Sequence, residues 1–187
     1  MRVSRNMEKA KARSEALARR KNLDPAYAKR ASVSITERFL AMFQAFDSFL
    51  LYVSFKGEVD TVELINALYG MKKAVYLPCV RGDGIELGLY KGENSLICGA
   101  YGICEPAECT DYESIDVAAV PGVAFDRRLM RVGWGKGYYD RLLAAGRIRK
   151  AVGLAFECQL FDSIKAEPHD IPCDMLVTET DIYRRNS

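Results

Sequence analysis

The run Arg131-Val132-Gly133-Trp134-Gly135-Lys136-Gly137-Tyr138-Tyr139-Asp140-Arg141 combines residue types suited to holding a phosphate chain. Gly133, Gly135 and Gly137 would let backbone N–H groups approach an anion closely, and a helix expected to begin near Tyr138 would add the positive end of its dipole. Arg131 and Lys136 supply full charges, and Lys136 could offset the charge that develops on a transferring phosphoryl group. The simpler readings are a solvated loop lysine and, for Arg131, a structural ion pair. The run is not a Walker A loop, because Gly137 rather than Ser or Thr follows Lys136; nor is it a dinucleotide fingerprint, because its glycines read GxGxG rather than GxGxxG.

Lys9 and Arg13 lie four residues apart in a stretch rich in helix formers, so they would share one helix face and could grip one polyphosphate together. The alternative is an ordinary charged surface. Asp140 falls in the first turn of the helix after the glycines, where a carboxylate is favourable in any case. It is also where nucleotide-bound magnesium could find one of the one or two protein carboxylates it needs.

A scaffold must bring these segments together. Residues 4–21 predict a surface helix with a thin apolar stripe, and Asp24-Pro25 opens a second whose core face is Tyr27, Ala31, Ile35, Phe39 and Phe43. A third helix starts at Asp60-Thr61-Val62-Glu63 and runs to Gly70. Short apolar runs predict strands at 49–53, 74–77, 85–90, 115–120, 150–155 and 175–178. This alternation argues an α/β sandwich on a mainly parallel sheet, and the Arg81-Gly82-Asp83-Gly84 turn adds an antiparallel pair, so the sheet should be mixed.

With 187 residues, 49% of them hydrophobic and 28% charged, the chain reads as a single domain over 1–187, which excludes a disordered regulator. Six cysteines without CxxC spacing and a lone His169 argue against structural zinc. No apolar run approaches the ~18 residues of a membrane span and no leader opens the chain, so a cytoplasmic protein with reduced thiols and no membrane association is expected. Residues 1–30 carry a net charge of +7, leaving −5 for the remainder. A basic arm of that kind suits nucleic acid or a phosphorylated ligand.

The chain resembles the 5-formyltetrahydrofolate cyclo-ligase (5,10-methenyltetrahydrofolate synthetase) family. The resemblance rests on Pro121-Gly122-Val123-Ala124-Phe125-Asp126 and the loop 131–141, with Lys9-x-x-x-Arg13, Glu58-Val59-Asp60-Thr61, His169-Asp170 and Val177-Thr178-Glu179. Leu129 stands where that family usually has a turn glycine, and Val132 where it usually has leucine. The resemblance implies a three-layer α/β/α domain of Rossmann-like type, with 5-formyltetrahydrofolate, with or without a polyglutamate tail, and MgATP as substrates. The formyl oxygen would attack the γ-phosphate, and N10 would then close onto the activated carbon and expel phosphate, giving 5,10-methenyltetrahydrofolate and ADP.

On this reading Lys9, Arg13, Arg131, Gly133, Gly135, Lys136, Gly137, Tyr138 and Tyr139 hold ATP, with Lys136 and Arg131 acting in phosphoryl transfer. Asp140 and Asp170 hold magnesium. Trp134 would stack on the flat pterin, Phe55 and Tyr138 would line its pocket, and Glu58 would accept from its 2-amino and N3 groups. Plain packing is the alternative for Phe55 and Tyr139, and simple exposure for Glu58. The arm then has a small-molecule partner, nucleic acid becomes unnecessary, and a monomer is expected. A sugar-phosphate isomerase, an acyl-transfer enzyme and a non-catalytic nucleotide or folate sensor remain open as other readings of such a scaffold.

Overall fold

The computed structural model describes residues 7–82, 84–99 and 102–185. Positions 4–6 of the first expected helix and Asp83 of the expected turn lie outside them. The chain runs α1 (Lys9–Lys21), α2 (Pro25–Phe43), β1 (Ser48–Leu50), α3 (Val62–Gly70), β2 (Ala74–Arg81), β3 (Gly84–Leu89), β4 (Leu96–Cys98) and β5 (Cys104–Pro106). There follow β6 (Ile115–Pro121), β7 (Ala124–Asp126), β8 (Arg131–Val132), α4 (Tyr138–Ala144), β9 (Ile148–Leu154), β10 (Leu160–Phe161), β11 (Met175–Val177) and β12 (Ile182–Arg184).

Seven strands form one mixed sheet in the order β12-β11-β9-β6-β1-β2-β3. Its five central strands are parallel, and β2–β3 and β11–β12 close the two edges antiparallel. Strand pleating divides the core. Phe49, Leu51, Val117 and Ala119 face α2 and α3, whereas Leu50, Ala118 and Val120 face α4. Both faces of β1 and β6 are therefore buried, the reason these runs read as continuously apolar.

In α2 the Asp24 side chain accepts from Tyr27 N–H, and Pro25 takes the first turn. Ala31, Ile35, Phe39 and Phe43 are buried as the spacing predicts, but Tyr27 is exposed and donates its hydroxyl to Glu179. It lies in the first turn of the helix. The expected surface helix is present as α1, and its thin apolar stripe is defined by two alanines. Ala12 and Ala16 of α1 are fully buried against Val123 and against Ala124, Val132 and Phe161 of the small sheet β10-β7-β8, and Met7 bridges to Ile164. The two alanines form the thin stripe that the sequence predicts, and they let the helix backbone dock closely.

Asp126 organises the turn after β7. It is fully buried and accepts hydrogen bonds from the N–H groups of Arg128, Met130 and Ile164 and from the Arg128 guanidinium. Leu129 follows with φ of 65°, the left-handed region that glycine favours, while its side chain is fully buried. The turn keeps a glycine-like backbone, and burial of the leucine side chain, about 2 kcal/mol, offsets a strain of about 1 kcal/mol.

Candidate active site

Going outward from β1, the chain continues through α3 to β2 on one side, while β6 pairs with the other side of β1. Loops leaving the carboxyl ends of β1 and β6 therefore diverge and leave a crevice, the place where open α/β sheets bind ligands. A cavity of about 460 Å³ occupies it. Tyr52 to Glu58 after β1 and the segment from Pro121 through Asp140 after β6 supply most of its wall, and α1 and the 167–170 turn close it. All of the expected site residues, Lys9, Arg13, Phe55, Glu58, Arg131, Gly133, Trp134, Gly135, Lys136, Gly137, Tyr138, Tyr139, Asp140 and Asp170, border this one cavity.

Two kinds of wall face each other across it. On the charged side, Lys9 Nζ pairs with Asp170 at 2.7 Å and Glu167 at 2.5 Å, and the Asp170 side chain is only 7% exposed. Burial pushes the Asp170 carboxyl up, but the Glu167 N–H and the Lys9 ammonium outweigh it, so its pKa falls below the ordinary value. Lys9 shows the mirror image: burial lowers its pKa, and the two carboxylates raise it further, to a net increase.

Arg13 donates from Nε to the carbonyl oxygen of Gly133 at 2.9 Å, so α1 clamps the glycine loop directly. Arg131 is buried and pairs through Nη2 with Asp140 at 2.9 Å. Its Nε is buried without a partner. The ion-pair reading of Arg131 therefore holds, while the pair still borders the cavity. Lys136 differs from all of these: it is exposed and, among the described residues, its side chain makes neither an ion pair nor a hydrogen bond.

The glycines of the loop serve separate ends. A Cβ at Gly133 would come within 2.8 Å of Arg131 Nη1, and Gly135 has φ of 96°. The helix after them is shorter than a phosphate-binding helix usually is. α4 has only seven residues and starts from Gly137 in a left-handed conformation, so side-chain cations rather than a long helix dipole set the positive field here.

On the aromatic side, Phe55 and Trp134 meet edge to face with ring centroids 6.5 Å apart, and Lys56 Nζ lies over both rings. Trp134 is 44% exposed, open to a ligand rather than packed in the core. Its indole N–H donates to Glu58 Oε1 at 3.2 Å, and the Phe55 N–H donates to Glu58 Oε2 at 3.1 Å. Glu58 is half-buried, not simply exposed. Burial raises its pKa against the opposing pull of these donors and the Arg20 guanidinium.

Arg20 escapes detection in the sequence: it is buried, donates to the Lys56 carbonyl at 2.5 Å, and has one guanidinium nitrogen, Nη1, unpartnered. Tyr139 borders both core and cavity, with a buried hydroxyl that finds no partner. Other wall residues carry no local signal, among them Glu167, Cys104 and Glu105, which sit in short irregular or edge segments. Glu167, His169 and Asp170 place one ligand atom each within 4.8 Å of one another.

A sequence profile described as the 5-formyltetrahydrofolate cyclo-ligase family matches residues 5–179. The chain is 34% identical over 143 residues to the Escherichia coli K12 5-formyltetrahydrofolate cyclo-ligase, covering 71% of this chain and 78% of that protein. Against the Haemophilus influenzae 5-formyltetrahydrofolate cyclo-ligase it is 32% identical over 170 residues, 84% of this chain and 91% of the other. The NMR structure of Aquifex aeolicus 5,10-methenyltetrahydrofolate synthetase superposes with a TM-score of 0.85 at 36% identity, covering 96% of this chain and 93% of that one. With a family profile spanning residues 5–179 and relatives more than 30% identical over most of the chain, the chain belongs to the 5-formyltetrahydrofolate cyclo-ligase family.

Proposed function

We propose that the protein uses ATP to cyclise 5-formyltetrahydrofolate to 5,10-methenyltetrahydrofolate, releasing ADP and phosphate. The observation that carries this reading is the cavity at the β1/β6 crevice, with a cationic glycine loop on one side and an aromatic wall bearing a carboxylate on the other. Phe55 and Trp134 offer π faces to the pterin, and Glu58 offers a carboxylate to its donor edge. Lys9, Arg13 and the glycine loop hold the polyphosphate. Arg131 keeps Asp140 oriented.

The formyl oxygen attacks the γ-phosphorus as ADP departs, and Lys136, which makes no ion pair among the described residues, stabilises the charge on the transferring group. N10 then attacks the activated formyl carbon and gives up its proton to solvent, and phosphate leaves from that carbon. No protein nucleophile is required; the chain positions two ligands and supplies charge.

Magnesium would neutralise polyphosphate charge, and the donor set fits it: carboxylates that border the cavity, needing only one or two beside phosphate oxygens and water. Asp140 is the better placed. Asp170 already has one oxygen on Lys9 and the other on the Glu167 N–H, so it serves mainly through Lys9. The same reading takes residues 1–187 as one catalytic domain, acting as a monomer in the cytoplasm. Lys9 and Arg13 turn inward to the cavity, which favours a small phosphorylated ligand over nucleic acid for the basic arm.

Mixing the protein with 5-formyltetrahydrofolate and MgATP should give methenyl absorbance and ADP in equal amounts. Sustained methenyl formation without nucleotide, or ligand binding without turnover, would overturn the reading.

A further inference from the structure

The β4–β5 hairpin contributes Cys104 and Glu105 to the cavity wall, and its register sets Cys98 opposite Cys104. Cross-strand bonds run from Ala107 N–H to Ser95 C=O and from Gly99 N–H to Ile103 C=O. Hydrogen-bonded and non-hydrogen-bonded pairs alternate along an antiparallel ladder, so Cys98 and Cys104 form a non-hydrogen-bonded pair. At such a pair the Cα atoms lie about 4.5 Å apart and both side chains leave the same face. A disulfide accepts Cα separations of about 4.4 to 6.8 Å. Both cysteines are free and exposed.

The opposite face of the hairpin is anchored. Glu105 is buried, pairs with Arg81 at 2.7 Å and accepts from Val80 N–H at 3.0 Å, tying β5 to β2. The cysteine pair therefore rides on a fixed strand at the cavity rim. Cys79 and Cys173 are buried, and burial pushes each thiol up to about 12, which leaves them poor nucleophiles.

We propose that Cys98 and Cys104 form a reversible disulfide at the rim of the cavity, made by exchange with a low-molecular-weight disulfide. The thiolate of one cysteine attacks a sulfur of the small disulfide, forming a mixed disulfide and releasing one small thiolate. The second cysteine, as thiolate, attacks the protein sulfur of that mixed bond and expels the other small thiolate. Two protein thiols are oxidised, one small disulfide is reduced to two thiols, and the two protons pass to the leaving thiolates. The link crosses the hairpin where Cys104 meets the cavity, so it fixes that part of the wall.

The test treats the full-length reduced protein with oxidised glutathione. Intact mass should fall by about 2 Da, the two thiol hydrogens lost in disulfide formation, and dithiothreitol should restore it. Cleavage after Glu108 separates this pair from Cys109, so tandem mass spectrometry locates the bond. Cys98→Ser should keep its turnover in reductant and instead retain one glutathione on Cys104. Stable separate adducts on Cys98 and Cys104 in the unmodified sequence, or a bond mapped to Cys79 and Cys109, would overturn the assignment.

The effect on binding rests on the proposed function: the linked form should change KM for one substrate by about threefold or more. Unchanged KM values for both substrates would refute the bearing of the link on the cavity. If reduced protein makes no methenyl product, the functional reading fails while the mass result still decides the disulfide.

Discussion

The two walls of the cavity are built on different principles. On the charged wall, the cations come from segments far apart in sequence and are mostly committed before any ligand arrives: Lys9 to Asp170 and Glu167, Arg131 to Asp140, Arg13 to the Gly133 carbonyl. Of the cations there, only Lys136 has a side chain with neither an ion pair nor a hydrogen bond among the described residues. On the aromatic wall, the groups are tethered to one another, since Glu58 takes hydrogen bonds from both the distant Trp134 indole and the nearby Phe55 backbone. The difference separates frame from chemistry. Paired cations fix loop geometry, the unpaired one is available to a charge that appears only during reaction, and the aromatic wall binds the same way before and during it.

The strongest challenge to this division is Lys136→Ala. Loss of a charge contact made mainly in the transition state costs about 3 kcal/mol, so kcat should fall about a hundredfold while KM for the folate stays near its original value. Steady-state kinetics with each substrate varied in turn checks it. A rise in KM with kcat preserved would place Lys136 among the binding groups and erase the distinction.

Arg131→Met probes the frame. It removes a buried guanidinium and leaves Asp140 without its cation, so stability should drop by about 2 kcal/mol, less than for a fully buried pair because Asp140 is one-fifth exposed. Denaturant unfolding measures this directly. Arg131→Met,Asp140→Asn should recover part of the loss, because the uncompensated carboxylate is gone. Equal loss in the single and double variants would mean that the ion pair does not hold the loop.

How far this was legible in the sequence follows the same line. The parallel core strands, α2 and the glycine loop announce themselves, because burial on both faces, a capped helix and a GxGxG run leave local patterns. All the expected site residues reach one cavity because the loop and the α1 motif carry fixed spacings. What is not legible is pairing at a distance: Lys9 with Glu167, Arg20 with the Lys56 carbonyl, and the Glu58 to Trp134 bond join residues many positions apart with no shared period. Short edge strands such as β4, β5 and β8 are missed for a related reason, having two or three residues each and too few alternations to show a period.

Trp134→Ala should show the inverse of the lysine variant. A ring contact present before and throughout reaction acts as uniform binding, so KM for the folate should rise about tenfold, or about 1.4 kcal/mol, with kcat little changed. Profiles alike in Lys136→Ala and Trp134→Ala would point to a shared collapse of the loop.

The smallest expected effect is a pH dependence that belongs to the aromatic wall alone. Burial raises the Glu58 pKa, whereas Asp170 on the charged wall is held below its ordinary value, so as pH falls Glu58 takes up its proton first. A protonated Glu58 is a weaker acceptor for the donor edge of the pterin. KM for the folate should therefore begin to rise above the ordinary glutamate range, at a pH where the charged wall and kcat are still intact. Unfolding through this group cannot mimic the effect. Because its pKa is higher folded than unfolded, the folded state binds the proton more tightly, and this group makes the protein more stable as pH falls through that value. Glu58→Gln should remove the break and hold KM about fivefold higher throughout, the difference between a charged and a neutral acceptor of about 1 kcal/mol. Trp134→Phe keeps a ring but deletes the indole donor that lowers the Glu58 pKa, so its break should move to higher pH. A break that survives unchanged in Glu58→Gln would assign the titration to the ligand or another group, and the two walls would no longer be separable by pH.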